Sequence, residues 1–456
     1  MDRTIMAYRR YILTATLLAL GLASGCDLGG GANDGKQGPG NGDDGVALRA
    51  GQIAVSPKGT SFLARVDNEL IHGDVDGSWR TLDRLEDPER LVFSPTRDVI
   101  YVATDDPGRL RAHDLTRDEQ LWSAVLPGED SWLDWDDTSV SARPWLHVTS
   151  DDRQLVVVTD DTVTVFDTES GDKLGMWKSS EWIVDIDLDA SGDAAYVTLQ
   201  ETWDDEGPKT PFVTLELPSL EATSIALPNC ADETVLGTDG RYAFMAPTQC
   251  QQDPVSVIDL ETGAFVRNLP GFGPVSLAAG GDLAVAFMDL DNLDESLFLG
   301  GDPMPEGDRQ YHLMLIDTRT LEFKTIELGD SLPRYAPTPD GKLLLIDADA
   351  WFDDERVRIF DLQTGELESV LGPDIRLDHF VMTGDSEYAY LIDDGAYELS
   401  ITERILSSMP LSIIPTSINI TGDDRWLLMQ DDLGPVHVFD READRVTAVV
   451  GGVRGR

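Results

Sequence analysis

The feature that most constrains this chain is a unit of four short β-rich runs and three turns, recurring from about residue 50 to the end. Its clearest copy is Val235–Leu269. Val235–Leu236 leads into a turn at Gly237–Gly240, Tyr242–Ala246 forms a second strand and Val255–Asp259 a third. Glu261–Gly263 then reverses the chain into Phe265–Leu269. Asp-Gly and Thr-Gly between β-rich runs are hairpin chemistry, because glycine accepts the positive φ of a tight turn. A single four-stranded meander has two raw edges and too little core to stand alone, so it must be one copy of a larger array.

The copies are plain. The first turn recurs as Ser56–Gly59, Ser94–Asp98, Ser150–Asp152, Ala190–Asp193, Thr238–Gly240, Gly280–Asp282, Pro339–Gly341, Gly384–Asp385 and Gly422–Asp424. Apolar second strands follow, such as VIYVAT (99–104), QLVVVT (154–159), KLLLID (342–347) and RWLLMQ (425–430). Third strands recur as VTVFD (163–167), VSVID (255–259), LMLID (313–317), VRIFD (357–361) and VHVFD (436–440). No stretch beyond the N-terminus sustains helical periodicity. Four strands at a spacing of about 40 to 58 residues predict an all-β chain: a single β-propeller of four-stranded antiparallel blades, with ring closure removing the edges. Nine units are countable, 52–82 being the least regular; eight or nine blades are expected, with seven as the alternative.

On VIYVATDD, AAYVTLQ and VSVIDLETGAFVRNL, the chain resembles the YVTN or YncE-like propellers of bacterial envelope proteins, which are similar in shape to tryptophan-aspartate repeats. The resemblance spans nearly all of 50–453 but lacks the Gly-His dipeptide of the latter, and its Trp-Asp dipeptides, Trp135–Asp136 and Trp203–Asp204, do not recur from unit to unit. It implies a fold and an envelope setting more than an activity, since the family holds binding proteins, surface proteins and a few enzymes.

The N-terminus reads as an export signal. Arg9–Arg10 precede the apolar run Tyr11–Leu22, and Ala23–Ser24–Gly25 lead to Cys26. The run is short for a membrane span and ends in small residues. It resembles the lipobox of bacterial lipoproteins, with Ala23 where leucine is usual. That resemblance implies removal of 1–25 and acylation of Cys26. Residues 26–49 contain almost nothing that could be buried and form an expected Gly/Asp-rich tether of roughly 25 Å r.m.s. reach. The propeller occupies 50–456. The expected location is the bacterial cell envelope, lipid-anchored, on the periplasmic side or outer surface.

Charge narrows the partners. The chain has 456 residues, with 35 basic against 84 acidic, a formal charge of −49. Nucleic acid and anionic lipid surfaces are repelled, so the membrane is reached only through the N-terminal lipid, and a monomer is expected. In an antiparallel meander, the loop between second and third strands shares one end of the ring with the connection between units. Those segments are acidic and rich in tryptophan: Trp132, Asp134, Trp135 and Asp136; Trp203 and Asp204; Trp351, Asp353 and Asp354. Carboxylates beside indoles suit an envelope protein, a peptide or a cationic ligand, by Coulomb attraction and cation–π contact. The competing reading is that aspartate is a common turn residue in a uniformly acidic protein, adapted to salt or simply soluble.

Further chemistry is sparse. Asp289, Asp291 and Asp294 are weak candidates for Ca²⁺, lacking the spacing of the twelve-residue calcium loop; otherwise no cofactor is expected. Cys230 and Cys250 are the only cysteines besides Cys26, and in an exported chain they read as a disulfide. The six histidines fall on strands of different units, at no ligand spacing. Asp114 with Trp122, and Asp259 with Thr262 and Gly263, resemble parts of the docking repeat of quinoprotein dehydrogenases (D-x-x-T-G-x-x-x-W). No unit holds it whole, so generic hairpin turns and no quinone are expected. A nucleophile elbow, a haem motif and a phosphate loop are absent from the sequence. The expected function is therefore a non-enzymatic binding or interaction scaffold with no catalytic residues; the alternative is a lactonase-like hydrolase with a carboxylate-bound metal.

Overall fold

The computed structural model describes residues 53–451, except 67–68, 83–87, 105–107, 127–144, 201, 205–206, 238–239, 248–252, 278–281, 290–294, 300–301, 303–310, 330–334, 348–356, 371–374, 376–378 and 432–433. Described residues form antiparallel sheets following one another along the chain: eight four-stranded blades and one sheet of five strands. They span 53–81, 88–125, 145–178, 183–227, 233–269, 272–329, 335–369, 379–408 and 417–450, called sheets 1 to 9 below. The five-stranded exception is sheet 4. Its regular meander carries one additional short strand, Thr202–Asp204, paired with Gly207–Lys209 ahead of the main part of its third strand. The described helical structure is one 3₁₀ turn at Glu295–Leu297.

Alternation alone does not explain the burial. The second strand Val99–Thr104 is buried at every position, because both faces of a blade meet another blade. Nine apolar clusters fill the gaps between consecutive sheets, one per gap. The last joins sheet 9 to sheet 1: Leu428, Val436, Val438 and Val450 pack with Ile53, Phe62, Ala64 and Ile71. That cluster closes the ring. Among the described residues no strand is shared between the two ends, and side-chain amides bridge the seam. Asn419 Nδ2 donates to the Ile53 carbonyl (2.8 Å), and buried Gln430 donates through Nε2 to the Arg65 carbonyl (2.5 Å). First strands touch first strands of the neighbouring sheets, which places them innermost. Fourth strands form the outer wall and leave Leu121, Val125, Leu174 and Met176 exposed.

Two recurrent turns explain much of the aspartate. At the first turn a Thr Oγ1 donates to an Asp two residues on, as in Thr149–Asp151, Thr338–Asp340, Thr383–Asp385 and Thr421–Asp423, at 2.5–2.7 Å. The next residue is left-handed: Asp152, Gly341, Ser386 or Asp424. At the third turn, the Asp ending the third strand accepts backbone N–H groups. Asp114, Asp167, Asp259, Asp317, Asp361 and Asp440 all do so. Those hydrogen bonds hold the Asp167, Asp259, Asp317 and Asp361 carboxyls below the usual carboxylate range, the bond from the residue three places on contributing most. A good part of the acidity is therefore turn chemistry at the lower end of the ring.

Candidate functional site

The upper end carries the connections between second and third strands and those between sheets. Its best-described part lies at sheets 3 and 4. The Asp160–Asp161 loop receives the backbone N–H groups of Ser179 (to Asp161 O, 2.7 Å) and Ile183 (to Asp160 O, 2.6 Å), pinning the inter-sheet segment against it. That segment carries Glu181 and Trp182, and Trp182 is 51% exposed. The Trp182 carbonyl in turn accepts Gln200 N–H (2.7 Å), tying it to the base of the Thr202–Lys209 ribbon. Burial raises the Asp160 carboxyl, Asp161 adds to the rise, and Lys178 opposes it; Lys178 Nζ lies 3.0 Å from Asp161 Oδ2. The exposed Trp182 indole thus stands on a segment held through its backbone to the Asp160–Asp161 loop, with Glu181 next to it in the chain.

Of the residues expected there, Trp203 and Asp204 lie on the ribbon, in register with Pro208 and Gly207, at this same end. Trp132, Asp134, Trp135, Asp136, Trp351, Asp353 and Asp354 lie outside the described residues, as do Asp291, Asp294 and Cys26. Asp289 closes the second strand of sheet 6, opposite Tyr311. No three His, Cys, Asp or Glu side chains among the described residues converge as metal ligands. Sequence reasoning passed over Trp182, although its place between units and its acidic neighbour were both legible. At sheet 8, Tyr397 donates its hydroxyl to Asp394, and that bond, with burial and the nearby carboxylates, pushes the phenol up to about 12.

Cys230 is buried, and its N–H donates to Asp253 Oδ2 (2.9 Å), which fastens the inter-sheet segment of Cys230 to the loop that follows Cys250; Cys250 itself is outside the described residues. All six histidines lie on strands.

One expectation needs correction. Trp122 is not merely part of a hairpin. It reaches the neighbouring sheet, donates Nε1–H to the Thr168 carbonyl (3.0 Å), and lies so close over Gly171 that a Cβ there would sit 2.6 Å from the indole. The tryptophan of one unit docks on the third turn of the next.

Neither protein-family models nor curated proteins match the chain. Solved structures do. A eukaryotic initiation factor aligns at 14% identity over 78% of this chain and 85% of that one, with a TM-score of 0.51. Dihydro-heme d1 dehydrogenase NirN in complex with DHE aligns at 13% identity over 90% and 77%, TM-score 0.48. Kuenenia stuttgartiensis hydrazine synthase aligns at 15% over 67% and 99%, TM-score 0.38. At such identities the likeness is one of fold, and the fold is the β-propeller.

Proposed function

We propose that this chain is a lipid-anchored β-propeller of the bacterial cell envelope, akin to the YVTN or YncE-like group. It acts as a non-enzymatic scaffold that captures an envelope protein, a peptide or a cationic ligand at its acidic, tryptophan-bearing upper end. The observation that carries this reading is Trp182, half exposed on a segment pinned to the Asp160–Asp161 loop, and it is supported by the sequence, whose stretches richest in Asp and Trp are expected at the same end. A disulfide between Cys230 and Cys250 belongs to the proposal, supported by the Cys230–Asp253 clasp. Closing that loop stabilises by roughly 3 kcal/mol.

The test is capture of envelope components by the soluble ring. Replacing Asp134, Asp136, Asp353 and Asp354 by Asn, together with Trp182→Ala, is expected to reduce capture at least about tenfold, with a loss of salt dependence. Capture that survives these changes rules out the upper end as the binding surface. Anchoring has its own readout. Cys26→Ser is expected to abolish incorporation of labelled palmitate and to release the protein from the membrane fraction; continued labelling would show that Cys26 is not the acylated residue.

A further inference from the structure

At the opposite end of the ring, the apolar packing between sheets 1 and 2 is interrupted. In six third strands, the residue two places before the terminal Asp is apolar and buried: Ala112, Val165, Val257, Leu315, Ile359 and Val438. In sheet 1 that position is His72, two before Asp74, and its cross-strand partner is Arg80. A cleft of about 400 Å³ opens there, with Asp74, Trp79, Asp98 and Thr116 also on its walls. That volume falls within the range of small-molecule sites, about 300–1,000 Å³.

The cleft holds unspent polar groups. The donors Arg80 Nε and Nη2, and the ring nitrogen His72 Nε2, are buried and have no hydrogen-bond partner. Burial is the chief cause of a lowered His72 pKa, so the ring is neutral at neutral pH. Basic residues at the corresponding fourth-strand positions elsewhere are tied down. Arg267, opposite Val257, donates to Asp302 Oδ2 (2.7 Å), and Lys324, opposite Leu315, donates to the Leu362 carbonyl (2.9 Å). Arg80 makes no such bond through Nε or Nη2, in a protein with a large excess of carboxylates. Asp98, across the cleft, is already held by Lys58 (2.6 Å). Nε and Nη2 form the side-on fork of a guanidinium, which matches the two oxygens of a carboxylate. Asp74, Asp98 and Thr116 can accept hydroxyl protons around it, and Trp79 supplies a flat apolar wall.

We infer that this cleft binds a small hydroxylated carboxylate of the sugar-acid type, its carboxylate gripped by the Arg80 fork and its hydroxyls by the Asp74 and Asp98 side of the wall. The experiment is calorimetric titration of the propeller with glucuronate, with a short oligogalacturonate, and with uncharged glucuronamide. Saturable binding of either acid and not of the amide is expected. The monomer and oligomer arms separate a free acid from an acidic polysaccharide. Arg80→Ala is expected to weaken binding about 10- to 100-fold, the loss of a charge-assisted hydrogen-bond pair. Its unfolding midpoint should stay near that of the parent, because the fork holds no partner in the fold. Should Arg80→Ala fail to fold, Arg80→Lys, which keeps charge and stem without the fork, should weaken binding several-fold. Absence of binding by both acids, equal binding of the amide, or affinity untouched by loss of the fork overturns the inference.

Discussion

Asp152→Ala is expected to lower the unfolding free energy by about 2–3 kcal/mol, the cost of leaving buried hydroxyl donors without their acceptor, with a smaller share from Arg97, whose partly exposed guanidinium water can solvate. The residue sits in a turn and looks ordinary in the sequence, yet its side chain is only 3% exposed. It belongs to sheet 3 but serves sheet 2. Its Oδ2 accepts from Ser94 Oγ (2.6 Å), Thr96 Oγ1 (2.7 Å) and Arg97 Nε (2.6 Å), and its Oδ1 accepts the Tyr101 hydroxyl (3.3 Å). Alanine would strand four donors at a sheet–sheet boundary, one of them charged. It would also place a residue without a polar side chain at φ +58°, a region where Asp is tolerated. Asp152→Asn separates these effects: it retains the backbone preference and loses the charge, for an expected cost of about 1.5–3 kcal/mol. Denaturant unfolding at unchanged m measures both.

The pH dependence has a definite sign. Burial on its own would raise the Asp152 carboxyl, but the hydrogen bonds from Arg97, Ser94 and Thr96 outweigh it and hold the group below its ordinary value. A carboxylate depressed in the folded state stabilises above its unfolded pKa of about 3.9, and that contribution is lost as pH falls through the lower folded value. The parent should therefore shed stability in acid more steeply than Asp152→Ala, and the two unfolding curves should converge at low pH. Parallel curves would show that the carboxylate contributes no charge-dependent stability.

The fold was legible because its information is local. VSVID (255–259) alternates as a strand, ends in the Asp that caps its own turn, and is followed by a glycine at φ +64°; each of these signals lies within a few residues. Repetition then multiplied a weak local signal into a ring. What the sequence hid is what lies between units. Asp114 and Trp122 resemble part of a docking repeat, but without its Thr-Gly they read as an ordinary hairpin, and nothing beside Trp122 names Gly171 of the following sheet as what its indole covers. Nothing beside Asp152 announces its four donors, and both contacts join residues far apart in the chain. Arg80 illustrates the same limit: an arginine two residues before Leu82 reads as a solvated strand residue until its neighbours are placed. Composition pointed to the upper end, where Asp and Trp crowd the loop sequences. The turn aspartates of the lower end diluted that signal, being equally acidic for reasons of backbone geometry.

The Trp122–Gly171 contact supplies the second large expected effect and a way to isolate it. Trp122 is 9% exposed, its ring centroid lies 5.9 Å from that of Tyr101, and its indole N–H is matched to a carbonyl of the next sheet. Trp122→Ala removes this packing and leaves the Thr168 carbonyl without its donor, for an expected loss of about 3–5 kcal/mol. Gly171→Ala attacks the contact from the other side. Its φ of +75° already disfavours a Cβ, and the new methyl would fall 2.6 Å from the indole, so a ring wedged between two sheets must shift. Alone, this substitution is expected to cost more than the roughly 1–2 kcal/mol of left-handed backbone strain. In the Trp122→Ala background the methyl has room, and only the backbone strain should remain. The two losses should therefore sum to less than their separate values, with a coupling of about 1–3 kcal/mol, within the range of directly contacting pairs. Additive losses in urea unfolding would mean that the indole does not rest on Gly171 in solution, and that sheets 2 and 3 are joined by Asp152 and the apolar cluster alone.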